Sequence, residues 1–228
     1  MTIKEFCLLN VSTELPAPSF AASWARADDR LKSRNAYGTG GYVRNLVSSP
    51  AAGFAIGAYA GVSELWRTDT PVDLQARKLP VIGGIDDTLS VSFLAEEYVV
   101  RSGRSAAKFM SLLRRKPGMS FEAFSAAWRG RHADVVRSVE EIWGLFRGYR
   151  QNHIIPGTCR HLDGSEMVRP FDGIVEIWFD SLADLESTMM SSRYREIIRP
   201  DEETFVDLPN TRLYSTETIV IAPPDTIR

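Results

Sequence analysis

Only two cysteines occur in the 228 residues, Cys7 and Cys159. They fit no zinc spacing and are too few for a disulfide framework, which favours a reducing compartment. Histidine is also scarce. His132, His153 and His161 are the full set, and none stands at the i and i+4 spacing of a helical zinc site. No apolar run approaches the roughly 18 residues of a membrane helix. The opening MTIKEFCLLN lacks a basic start and a long apolar stretch, so no signal peptide is expected. Net charge is −2, too small for a general pull towards nucleic acid. No dinucleotide fingerprint follows a strand and no phosphate loop is present, because YGTGGY at 37–42 fits neither pattern. Met189 and Met190 read as helix core, not as a haem box. These absences predict a cytoplasmic protein with no metal, no organic cofactor, no nucleic-acid partner and no membrane association.

What is present is a repeat. Hydrophobic residues make up 44% of the chain, enough apolar material for a substantial core. KEFCLLN from Lys4 resembles AKFMSLL from Ala107, both short, apolar and strand-like. Phe20, Trp24 and Asp28 recur as Phe124, Trp128 and His132, and steps of four place each trio on one helical stripe. GYVRNL (41–46) recurs as GYRQNH (148–153), and GVSELW (61–66) as GIVEIW (173–178). FLAEEYVV at Phe93 resembles YSTETIVI at Tyr214.

Each half therefore reads strand, helix, strand, strand, helix, strand. Ser120 is a candidate N-cap for the first helix of the second half. Asp180 or Ser181 is the candidate cap for its second helix, expected over 181–198. In the first half, Thr70 and Pro71 open a shorter second helix that Pro80 and Gly83 interrupt. The join lies at 101–105, where Ser and Gly replace apolar periodicity, giving one unit over 1–102 and a second over 105–228. A βαββαβ unit is ferredoxin-like, with both helices on one sheet face. Its bare face needs cover, so the expected fold is α+β. Two tandem ferredoxin-like units pack their antiparallel sheets face to face into one α/β barrel within a single chain, which could pair further as a homodimer.

Chemistry concentrates in the second half, which holds all three histidines. Asp28 and Leu46 stand where His132 and His153 stand. A histidine, ordinarily near pKa 6.5, takes and returns protons near neutrality; on an apolar stripe it is otherwise a satisfied core residue. Tyr149, Gln151 and His153 alternate along one strand and share a face, either pocket-lining or solvated, with the pocket favoured. Asn152 and Arg150 occupy the opposite face. Glu176, between Ile174 and Trp178 on an apolar face, is either a site carboxylate or half of a structural ion pair with an arginine, and Glu64 repeats it. Residues 101–150 carry eleven Lys or Arg against four Asp or Glu. Within that stretch Arg115 and Arg150 are the candidates to hold a substrate carboxylate.

KFMSLLRRKPGMSFEAFSAAWRGRHADVV, GYRQNH and FDGIVEIWFDS together resemble the EthD family of the dimeric α/β-barrel superfamily, over residues 107–221. The first half resembles it more loosely. The resemblance implies a barrel usually built from two chains, and mostly metal-free and cofactor-free chemistry. Members and barrel relatives include isomerases of methylmuconolactones and ring-fission products, and polyketide cyclases and dehydratases. Other barrel relatives bind haem or oxidise quinol-like substrates.

The expected function is a cofactor-independent isomerase acting on a small anionic oxygenated substrate, such as a carboxylated product of aromatic ring fission. His132, His153 and Tyr149 are its expected catalytic residues. Asn152, Gln151, Arg115, Arg150, Glu176 and Trp178 are expected to contact substrate. A polyketide-type cyclase or dehydratase and a non-catalytic binding protein are the alternatives. An arginine pair in the pocket would point to a short diacid, an aromatic lining to a polycycle.

Overall fold

The structure is a computed structural model and describes residues 2–11, 17–33, 41–49, 59–67 and 82–222. The first half supplies β1 (Thr2–Asn10), α1 (Ala17–Ser33), β2 (Tyr42–Ser49), β3 (Tyr59–Arg67) and β4 (Val91–Arg101). The second half begins with β5 (Ala107–Leu113), α2 (Phe121–Ala127), a π-helical segment (Trp128–His132), α3 (Ala133–Ser138) and α4 (Glu140–Trp143). It continues through β6 (Gly148–Ile154), the two-residue β7 (Arg160–His161), β8 (Gly173–Phe179) and α5 (Leu182–Met190). A second π segment (Tyr194–Ile198), α6 (Arg199–Glu202) and β9 (Arg212–Ala222) complete it. The expected second helix of the first half, at Thr70 to Pro80, lies outside the described residues.

Antiparallel pairing runs β4–β1–β3–β2 in the first half and β9–β5–β8–β6 in the second. The ring closes where β2 meets β9 and where β6 meets β4. The result is the single-chain α/β barrel that the sequence suggested, with its two four-stranded sheets joined edge to edge into one closed ring of eight strands rather than only stacked face to face. Closure has a physical reason. A four-stranded sheet leaves unpaired N–H and C=O groups along both edges, and joining the edges satisfies them.

The barrel interior has two layers. Phe6, Phe93, Met110, Leu112 and Ile174 belong to an apolar one. The other is ionic. Lys4 Nζ reaches Glu64 at 3.0 Å, Glu97 at 2.8 Å and Glu176 at 2.6 Å. Lys108 Nζ pairs with Glu64 and lies 2.6 Å from Glu176. Each lysine thus ties a carboxylate of its own half to one of the other. Burial opposes ionisation of Glu176, but Lys108 and Lys4 beside it hold its carboxyl well below the usual range. The expected arginine partner is thereby corrected to a lysine pair: Lys4 and Lys108 sit opposite Trp66 and Trp178 in the ladder, so all four point inward.

The repeated phrases make the same contacts in each half. Asn45 donates to Val62 O at 3.0 Å and Glu64 Oε1 at 2.8 Å; Asn152 donates to Ile174 O at 3.0 Å and Glu176 Oε2 at 2.8 Å. A Cβ on Gly61 would come 2.2 Å from Trp24, and one on Gly173 2.3 Å from Trp128. Both glycines therefore let a helix tryptophan lie against the sheet.

In the second half helices cover the outer sheet face. Ser120 caps α2, accepting from Ala123 N at 3.1 Å, and Ser181 caps α5, accepting from Asp184 N at 3.2 Å. The continuous helix expected over 181–198 is instead broken at Ser191, whose ψ of 137° leaves the helical region and whose hydroxyl accepts from Arg193 N at 3.1 Å. Among the described residues no helix is long and apolar enough to cross a membrane.

Candidate functional site

Helices and sheet of the second half enclose a cavity of about 430 Å³, within the usual span of small-molecule pockets. Its floor is the outward sheet face, including Phe109, Ser111 and Leu113 from β5 and Tyr149 from β6. Its roof comes from the helices. Trp128 and His132 of the first π segment line it, as do Tyr194 and Ile198 of the second. π turns interrupt the regular helix and frequently mark functional sites. Here two of them face one cavity.

His132 is the best-placed titratable group. Its Nδ1 lies 2.8 Å from Asp201 Oδ2, and Arg131 Nε lies 3.2 Å from the other carboxylate oxygen. The hydrogen bond with His132 holds the Asp201 carboxyl below its ordinary range. An anionic Asp201 can only accept, so the pattern assigns the hydrogen to Nδ1. Nε2 has no hydrogen-bond partner among the described residues and remains for a ligand.

The neighbouring carboxyl behaves oppositely. Burial pushes Glu202 up despite the pull of His132, and Tyr194 Oη donates to its Oε2 at 2.8 Å. Two consecutive acids, one held ionised and one biased towards protonation, make a base–acid pairing with His132 available at one cavity. Tyr149 adds a donor. Its oxygen accepts from Gln151 Nε2 at 2.9 Å and is also hydrogen-bonded by Trp128. Burial pushes its phenol up, so its own proton stays available.

The residues expected from sequence separate into three groups. His132 and Tyr149 line the cavity. Gln151 and His153 lie on the same sheet face but behind Trp128. Gln151 Nε2 donates to Trp128 O at 2.9 Å, and the His153 ring sits 4.4 Å from the Trp128 ring. Ser125 Oγ is 2.8 Å from His153 Nδ1, and Gln151 Oε1 is 3.3 Å from its Nε2. Burial, reinforced by Arg129, pushes His153 down to about 4, so it is neutral at physiological pH.

The third group is turned away. Asn152, Arg150, Glu176 and Trp178 face the barrel interior, where Arg150 Nε lies 3.2 Å from Glu97 and its guanidinium 4.7 Å from the Trp178 ring. Arg115 pairs with Asp172, which also accepts from its main-chain N at 2.8 Å. Neither arginine lines the cavity. Among the described residues no three His, Cys, Asp or Glu side chains gather as a metal site would require. Sequence reasoning missed Tyr194, Asp201 and Glu202. A signal was present: Tyr194, Ile198 and Glu202 repeat the four-residue step of Phe124, Trp128 and His132.

The EthD domain model matches residues 116–209, and all these cavity helices fall inside the match. A search of curated protein sequences finds no match. Among solved structures, an anthrone oxidase-like protein is similar at 13% identity and TM-score 0.53, covering 96% of this chain and 93% of its own. A candidate monooxygenase from Lactobacillus acidophilus NCFM is 8% identical with TM-score 0.50, covering 97% and 99%. A mutant chlorite dismutase from Candidatus Nitrospira defluvii is 11% identical with TM-score 0.50, covering 95% and 91%. Identities this low show the shared barrel fold alone.

Proposed function

From the match of residues 116–209 to the EthD domain model, we propose that this protein is a cofactor-independent enzyme that moves a proton on an oxygenated aromatic substrate. Double-bond isomerisation is the net reaction. The observation that carries this reading is His132, fixed through Nδ1 by an ionised Asp201 while its ring lines a largely apolar cavity.

The steps balance without an external reactant. His132 Nε2 removes a proton from the carbon next to a substrate carbonyl, and the electron pair moves onto the carbonyl oxygen. Asp201 stabilises the imidazolium so formed. The Tyr149 hydroxyl, whose pKa burial raises, hydrogen-bonds the enolate oxygen and keeps its proton, and Glu202, biased upward by burial, is the second candidate donor. In a substrate with a double bond between the β- and γ-carbons the enolate is conjugated, so His132 returns the proton to the γ-carbon and the double bond moves to the α,β position beside the carbonyl. General acid–base catalysis of this kind supplies about 10²–10⁴-fold.

The lining favours a polycyclic aromatic over a short diacid. Trp128, Phe109, Phe146, Tyr194 and Phe205 surround the space, whereas the two arginines expected to hold a carboxylate are engaged elsewhere. The same lining supports a second reading, an aldol-type cyclase or dehydratase that uses the same enolate. We also read the chain as a tandem repeat with units 1–102 and 105–228. The matched pairs Trp24–Gly61 and Trp128–Gly173, and Asn45–Glu64 and Asn152–Glu176, support that reading.

Solvent-deuterium incorporation into 2-tetralone, an enolisable bicyclic ketone, tests the proposal by NMR. Enzyme-dependent exchange that Asp201→Asn abolishes supports it. Binding without exchange would favour a non-catalytic carrier, and neither binding nor exchange would leave the cavity without the assigned substrate class.

A further inference from the structure

One hydroxyl of this cavity has nothing to bond to. Ser111 lies in the middle of β5, is 3% exposed, and lines the floor between Phe109 and Leu113. Its Oγ is buried with no hydrogen-bond partner. Its ladder neighbours cannot help, because Val175 on β8 and Leu213 on β9 are apolar and line the same cavity. An unpaired buried hydroxyl is unfavourable, and such groups in native proteins ordinarily find a partner.

The first half handles the matching position differently. In the ladder register Cys7 of β1 lies opposite Ser63 of β3 as Ser111 lies opposite Val175 of β8, and the Cys7 thiol is hydrogen-bonded by Ser63. Ser111 has only Val175 there, so its hydroxyl is left to the cavity, on the sheet floor facing the helical wall that carries His132 and Glu202.

We infer that Ser111 is a specificity residue that hydrogen-bonds a second oxygen of the substrate, directed at the sheet while the enolisable carbon faces the helical wall. The substrate class is then an aromatic ketone carrying a further hydroxyl or carbonyl on a ring distant from the reacting one. This inference rests on the cavity being the substrate site.

Calorimetric titration of the full chain with 2-tetralone and its four ring-hydroxylated isomers (5-, 6-, 7- and 8-hydroxy) tests it. The readout is the affinity ratio of hydroxylated to plain ketone within each protein, which a change in general packing does not alter. One isomer is expected to bind wild type about tenfold more tightly than 2-tetralone, the worth of one good hydrogen bond. That ratio should fall to within about twofold in Ser111→Ala and persist in Ser111→Thr. If Ser111→Ala fails to fold, Ser111→Cys copies the first half's residue and gives the same comparison. A ratio near one for every isomer in wild type, or a preference that survives Ser111→Ala, overturns the role of Ser111 while leaving the exchange chemistry intact. Failure of 2-tetralone itself to bind overturns the substrate site, and Ser111 with it.

Discussion

His153 is neutral and buried, and that state has a measurable consequence in acid. Its folded pKa is about 4 against 6.5 for the free side chain. The unfolded chain therefore binds a proton that the folded chain refuses between those values. Stability from this source is complete above pH 6.5, is lost as pH falls towards 4, and does not fall further below that. Linkage gives a loss of about 2 kcal/mol by pH 5 and about 3 kcal/mol by pH 4. Other groups titrate in the same window, so the useful quantity is a difference. Urea unfolding of wild type and His153→Gln from pH 7.5 to 4 gives two stability curves, and their difference isolates this histidine. Glutamine keeps a polar partner for Ser125 but has no proton to gain. The wild type should lose about 3 kcal/mol more than the variant across that range. A flat difference would overturn this, because His153 would then take up its proton as readily in the folded chain as in the unfolded one.

Two further predictions concern the scaffold. Lys108→Met leaves Glu64 and Glu176 sharing Lys4 in the barrel interior and should cost about 3–5 kcal/mol in chemical denaturation. Replacing Glu176 by Leu in the same chain should recover part of that loss, since the unpaired charge goes with it. Gly173→Ala drives a methyl to within 2.3 Å of Trp128. It should cost about 1–3 kcal/mol by overpacking, and by shifting the π segment that carries His132 it should lower the 2-tetralone exchange rate as well.

Local chemistry made much of this architecture legible. The four-residue step of Phe124, Trp128 and His132 placed a helix stripe. The GYxxN and Gly-x-x-Glu-aliphatic-Trp phrases marked strands whose Gly and Asn have the same job in both halves. Serines 120 and 181 cap helices as their positions imply. Period-two alternation separated Tyr149 from Asn152 but could not say which face met helices. That depended on which side Trp128 packed, a tertiary fact. The same limit misplaced Glu176 and Arg150, since an apolar strand face reads alike whether it lines a pocket or a barrel interior. The π segments carried no composition signal: Trp128–His132 contains an ordinary helical sequence with one glycine. Asp201 escaped notice because its partner, His132, is 69 residues away and no spacing rule reaches that far.

In the proposed reaction His132, and not His153, handles the proton. Deuterium incorporation into 2-tetralone at pH 7.5 by wild type, His132→Gln and His153→Gln tests it most directly. The expected loss is about 10²-fold or more in His132→Gln and less than about tenfold in His153→Gln, whose ring packs against Trp128 from behind. Exchange that survives in His132→Gln but disappears in His153→Gln would contradict it.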